Sequence, residues 1–292
     1  MIKKKTFLML ITALLFSCCH RSTTNSSTPD LVTGIVAING TTLYYEIQGK
    51  GHPLVLLEGG QLDRRMWDDQ FAEFSQNYQV IRYDVRGFGR SGEWGASYQA
   101  HEDLRALLDT LAIEKVHLVG LSLGGRISID FALEYPEKVS SLVLAGPGLS
   151  GFNWSSNEWF NTIWEAMLEG DSIRAAELWL ESPYMAPAME QEKLADQIRN
   201  LVVENSRVWA HLDTKEASLS PPAVGRLDEL LAPTLLIVGS RDIPDIHKIV
   251  KLLLAADIPD VRRVVFDGSG HMVNMEQPEM FNQVVMEFLK GL

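Results

Sequence analysis

Short apolar runs alternate with stretches of helical period over most of this chain, and few architectures accept that pattern. Residues 54–57, 79–83, 116–119 and 141–145 read as buried strands. Between them Trp67, Phe71 and Phe74 stand at helical spacing, Leu104, Leu107, Leu108 and Leu111 form an i, i+3, i+4, i+7 face, and residues 126–135 read as a further helix. A strand joined to the next through a helix returns in the same direction, so the sheet is expected to be mostly parallel. Its unbroken apolar strands call for helices on both faces. The alternation resumes late in the chain, with strands over 234–238 and 261–266, a helix over 246–255, and a last helix over 278–290 that buries Phe281, Val284, Val285, Phe288 and Leu289. At the front, residues 33–38 and 41–48 flank Asn39-Gly40, a pair whose tolerance of positive φ suits a tight hairpin.

Between residues 148 and 225 the alternation stops. This stretch shows helical periods without strands and holds Trp154, Trp159, Trp164, Trp179 and Trp209, together with Met167, Met185 and Met189. It reads as a helical cap inserted between two halves of one core, 31–147 and 226–292. Aromatic and methionine side chains suit an adaptable apolar pocket, and they suit equally the fastening of small helices to the body.

Composition narrows the function classes. With 46% hydrophobic and 22% charged residues the chain is globular in character, and its formal charge of −12 argues against a nucleic-acid partner. Its basic run, Lys3-Lys4-Lys5, precedes the apolar stretch 7–16, which is too short to span a bilayer of about 30 Å. Residues 1–17 therefore read as a signal peptide. Leu15-Phe16-Ser17-Cys18 resembles a bacterial lipoprotein box, which implies lipid on Cys18, a Ser/Thr-rich tether over 18–30, and a soluble domain held at the cell envelope; an ordinary secretory signal is the competing reading. Once those three lysines are removed, 23 cations face 38 anions and the charge becomes −15. Cys18 and Cys19 are the only cysteines, so the folded part would hold no disulfide.

Chemistry centres on Gly120-Leu121-Ser122-Leu123-Gly124, where an apolar strand meets a helix through one tight turn. Such a turn holds its central residue in a sparsely populated conformation and needs small neighbours, so that Ser122 is pushed toward a substrate. Three further segments accompany it in order: 82–91 (RYDVRGFGRS), 238–242 (VGSRD), and 268–271 (GSGH) with 276–279 (EQPE). Together they resemble the α/β-hydrolase fold family with a helical cap, over nearly all of residues 31–292.

The resemblance implies a triad of Ser122 as nucleophile, His271 as base and Asp242 as orienting acid, in the family's chain order. Each follows an apolar strand, which places all three at one edge of a parallel sheet. A serine hydroxyl needs such a base to attack a carbonyl. Asp245 and Asp267 are alternative acids. The backbone N–H groups of Leu123 and Gly60 are the expected oxyanion donors, and here the chain departs from the family, because Glu58 stands where the loop Glu58-Gly59-Gly60-Gln61 usually begins with histidine. Glu58 either turns away to bond arginine or backbone groups, or modulates the pocket. The expected activity is serine hydrolysis of a small, mostly apolar carboxylic ester, lactone or thioester through an acyl-enzyme. Carbon–carbon bond hydrolysis, perhydrolysis, an aminopeptidase using Glu58, Glu165 and Glu169, or ligand binding without catalysis are the alternatives. Neither a cofactor nor a metal is called for: the seven histidines lack ligand spacing, and 87–89 lacks the third glycine of a dinucleotide loop. The partner expected is a small acyl substrate, with membrane contact through the N-terminal lipid alone.

Overall fold

In the computed structural model, described for residues 30–155, 158–211 and 215–292, eight strands form one sheet in the order β1-β2-β4-β3-β5-β6-β7-β8. The segment expected to be signal and tether, including Cys18, lies outside the described residues apart from Asp30. β1 (Val32–Ile38) and β2 (Thr41–Gln48) pair antiparallel from Val32↔Ile47 to Ile38↔Thr41. Their turn is Asn39-Gly40, with φ of 40° and 76°. β2 then pairs antiparallel with β4 (Gln79–Tyr83), and from there the sheet is parallel through β3 (Pro53–Leu57), β5 (Val116–Leu121), β6 (Val139–Ala145), β7 (Thr234–Gly239) and β8 (Val261–Phe266).

Burial explains the composition of the central strands. β5 and β7 are buried at every position, because helices cover both faces. Leu118, Val119 and Leu121 are fully inaccessible, each contributing about 1.5–3 kcal/mol relative to exposure. α3 (Leu123–Glu134) packs on β5, β6 and β3, and α2 (Ala100–Thr110) packs against α3. α1 (Asp68–Phe74) meets the C-terminal helix Pro278–Lys290, while the helix Pro244–Ala255 lies on β7 and β8. β8 closes one edge of the sheet and leaves Val265 exposed.

Between β6 and β7 the chain forms four helices: α4 (Phe160–Leu168), α5 (Ser172–Leu180), α6 (Ala186–Met189) and α7 (Glu192–Glu204), followed by the short turn Ser206–Ala210. Two single helical turns, Ala223–Gly225 and Leu227–Glu229, follow before β7. The remainder returns along the core, where Glu216 bridges Tyr98 and Arg226 pairs with Glu134 at 2.7 Å. At the end of α7, buried Asn205 donates to the Asp63 carboxylate (2.8 Å) and accepts from the Gly89 N–H (2.7 Å). One side chain therefore fastens the insertion to the loops after β3 and β4.

Candidate active site

The turn at Ser122 is sharper than its pattern alone requires. β5 runs on to Leu121 and α3 begins at Leu123, two and three residues beyond the expected boundaries, so Ser122 makes the connection by itself at φ 53°, ψ −107°. A conformation of this kind costs about 1–3 kcal/mol and persists where its surroundings enforce it. Here the Ser122 N–H donates to the Ala145 carbonyl (3.0 Å), and the Ser122 carbonyl accepts from Gly148 (2.9 Å) and Arg126 (3.0 Å). The glycines are steric necessities. A Cβ on Gly120 would stand 2.4 Å from the Gly124 carbonyl, and one on Gly124 would stand 2.2 Å from the Leu57 oxygen.

Asp242 and His271 follow β7 and β8 and meet beside that turn. His271 Nδ1 lies 3.0 Å from both carboxylate oxygens of Asp242, whose Oδ1 also accepts from the Ile243 N–H at 2.7 Å. Gly146 leaves room for this pair, since a Cβ there would be 3.0 Å from Asp242 Oδ2 and 3.1 Å from His271 Nδ1. The alternative acids are engaged elsewhere: Asp245 holds Ser155 and Lys248, and Asp267 accepts from Ser240. Glu276, the first residue of the 276–279 segment, accepts from the N–H groups of Gly270 (2.8 Å) and Met272 (3.0 Å) and so clamps the loop on either side of His271. Burial raises its pKa despite those two bonds. Ser122 Oγ forms no hydrogen bond among the described residues, and shares with His271 the wall of one cavity.

That cavity has a volume of about 330 Å³. Its core side comprises Gly60, Gln61, Phe88, Ser122, Leu123 and Arg126, while Trp154, Trp179 and Tyr184 supply the opposite wall. Tyr184 stacks on Trp179 (centroids 5.3 Å apart) and meets the His271 ring edge-on at 4.8 Å. Trp159 and Trp209 pack behind Trp179, and Trp164 stands exposed on α4. Of the five cap tryptophans, then, two face the cavity and the others serve packing or the surface. Phe88, Arg126, Tyr184 and Met272 were not singled out from the sequence. Arg126 and Met272 could have been, as near neighbours of Ser122 and His271; Tyr184 carries no local signal.

Leu123 and Gly60 both line the cavity, and among the described residues no protein acceptor takes either N–H. Leu123 opens α3, where backbone donors lack intrahelical partners. Glu58 is placed differently from a pocket residue. It is fully buried beneath the loop, its Oε1 accepts from the Val85 N–H at 2.8 Å, and its carbonyl accepts from Gly124 at 2.9 Å. Burial, with the Asp84 and Asp63 carboxylates nearby, pushes its pKa far up, and only the bond from Val85 and the Arg64 charge oppose this. Oε2 has no partner among the described residues, which would make a full negative charge there costly. Glu165 and Glu169 are exposed, so no carboxylate from the aminopeptidase reading lines the cavity.

Residues 52–278 match the family model described as alpha/beta hydrolase fold. The chain belongs to the α/β-hydrolase fold family. It is 33% identical over 291 aligned residues to a 2-hydroxy-6-oxononadienedioate/2-hydroxy-6-oxononatrienedioate hydrolase of Burkholderia vietnamiensis, covering 91% of this chain and 97% of that one. A 2-hydroxy-6-oxo-6-phenylhexa-2,4-dienoate hydrolase of Burkholderia cepacia is 28% identical over 256 residues, 82% and 88% of the two chains. Among solved structures, the enol-lactonase from Burkholderia xenovorans LB400 superposes with a TM-score of 0.72 at 25% identity, over 88% of this chain and all of that one. This α/β-hydrolase is an enzyme, and its substrate is a small molecule.

Proposed function

We propose that this α/β-hydrolase cleaves a small, mostly apolar carboxylic ester, lactone or thioester through an acyl-enzyme on Ser122. The observation that carries the reading is the strained Ser122 sharing a cavity with a His271 whose Nδ1 is held by Asp242. His271 would take the Ser122 proton as Oγ attacks the carbonyl carbon, then pass it to the leaving oxygen or sulfur. Water, activated by the same imidazole, would release the acid. Asp242 keeps the imidazole in the useful tautomer and stabilises its cation. The N–H groups of Leu123 and Gly60 would meet the developing oxyanion, each such donor commonly contributing about 2.7–4 kcal/mol. Glu58, kept neutral below the loop, leaves that negative charge unopposed.

Incubation with a fluorophosphonate should label Ser122 and abolish turnover of 4-nitrophenyl esters, and Ser122→Ala should show neither labelling nor turnover. An unlabelled, folded protein would remove the nucleophile from the argument.

Hydrolysis of a carbon–carbon bond in a ring-cleavage product is the second reading, supported by relatives of that named activity that align over most of both chains. A vinylogous 1,5-diketone turned over faster than any aryl ester would favour it. For the N-terminus we propose lipid attachment at Cys18 and an envelope location. Loss of radiolabelled palmitate incorporation in Cys18→Ser is the expected result, and retention would refute it.

A further inference from the structure

Among the described residues, Arg126 is the one side chain of fixed positive charge along the cavity that holds Ser122. It sits four residues after Ser122 on the first turn of α3, an advance of about 6 Å along the helix. Its guanidinium offers five N–H donors. Two are used within the protein: Nη2 donates to Glu216 Oε1 at 2.7 Å, and Nη1 reaches Asp130 Oδ2 at a long 3.5 Å. The other three have no acceptor among the described residues.

Both acidic partners stand away from the reacting end. Glu216 lines a second recess of about 300 Å³ that shares Arg126 and Trp154 with the first cavity, and it does not line the cavity of Ser122. Asp130 is buried, and Ser150 donates to its Oδ2 at 2.6 Å. The remaining lining of the Ser122 cavity is glycine, Gln61, His271 and apolar or aromatic side chains. A single fork of unused donors in such a wall discriminates strongly, because an acceptor bound there meets both the guanidinium charge and its hydrogen bonds.

We propose that Arg126 forms an anion subsite, taking the terminal carboxylate of a substrate whose carbonyl reacts at Ser122 in the same cavity. The substrate would then be a half-ester, lactone or keto-acid with an apolar middle against Phe88 and Trp179 and one charged end. This inference rests on Ser122 being the reacting group.

The test compares 4-nitrophenyl hydrogen adipate with 4-nitrophenyl hexanoate, which share a six-carbon acyl chain and differ in the terminal carboxylate. Arg126→Gln should lower the adipate-to-hexanoate ratio of kcat/KM about tenfold or more, mostly through KM, whereas Arg126→Lys should retain part of the preference. Glu216→Gln, which frees the guanidinium, should raise the ratio. A ratio unchanged in both Arg126→Gln and Glu216→Gln overturns the subsite. Adipate binding, followed by tryptophan fluorescence, reads the same site without turnover. If neither ester is hydrolysed, the nucleophile reading fails, while weaker adipate binding in Arg126→Gln still supports the anion subsite and equal binding still refutes it.

Discussion

Replacing Glu58 with glutamine should flatten the dependence of stability on pH. The carboxyl is fully buried beside Asp84 and Asp63, and its pKa in the folded protein lies well above the usual 4.5. Below that usual value both folded and unfolded chains hold the proton, and Glu58 adds no pH dependence. As pH rises through it, the unfolded chain releases the proton while the folded chain keeps it. The folded state is then penalised by about 1.4 kcal/mol per pH unit, until pH passes the raised pKa. Over the window between the usual and the raised value the loss accumulates with pH, and the melting temperature of the wild type falls with it. Glutamine can keep the bond from Val85 through its amide oxygen and cannot ionise. Thermal unfolding of both proteins across that window should show the variant gaining on the wild type as pH rises. Carboxylates other than the neighbouring Asp84 and Asp63 titrate equally in the two proteins, so the difference reports Glu58 together with that pair. Parallel curves would mean that Glu58 is ionised in the folded state, and the argument that the floor of the Gly60 loop is neutral would collapse.

Two other substitutions probe the elbow and the acid. Gly124→Ala places a methyl 2.2 Å from the Leu57 carbonyl oxygen, so it should cost about 1–3 kcal/mol or more in thermal unfolding, and esterase activity should fall with it as the strand and helix are forced apart. Asp242→Asn should lower kcat by about three to four orders of magnitude, close to the effect of the equivalent change in the Ser-His-Asp triad of serine proteases. Asp267→Asn, whose carboxylate accepts from Ser240 and does not touch His271, should leave the pH–rate profile in place; a large loss there would reassign the acid.

What could be read from the chain alone was whatever depends on neighbours in sequence. Apolar runs alternating with helical periods specify parallel strands, and residues that follow such strands must gather at one edge of the sheet, so Ser122, His271 and the candidate acids could be placed at that edge from the chain alone. The glycines around Ser122 carried their own steric reason, and Asn39-Gly40 its own turn. Tertiary structure decided what depends on approach between distant segments. Asp242 and Asp267 both follow parallel strands, and only packing brings one of them to His271. The direction of Glu58 is set by a backbone donor at Val85, 27 residues on. Arg126 looks from sequence like any helix surface position, until the cap closes over it and Glu216 returns to meet one edge of its guanidinium. Local pattern places the backbone; where a long or charged side chain ends depends on desolvation and on partners that the fold alone brings within reach.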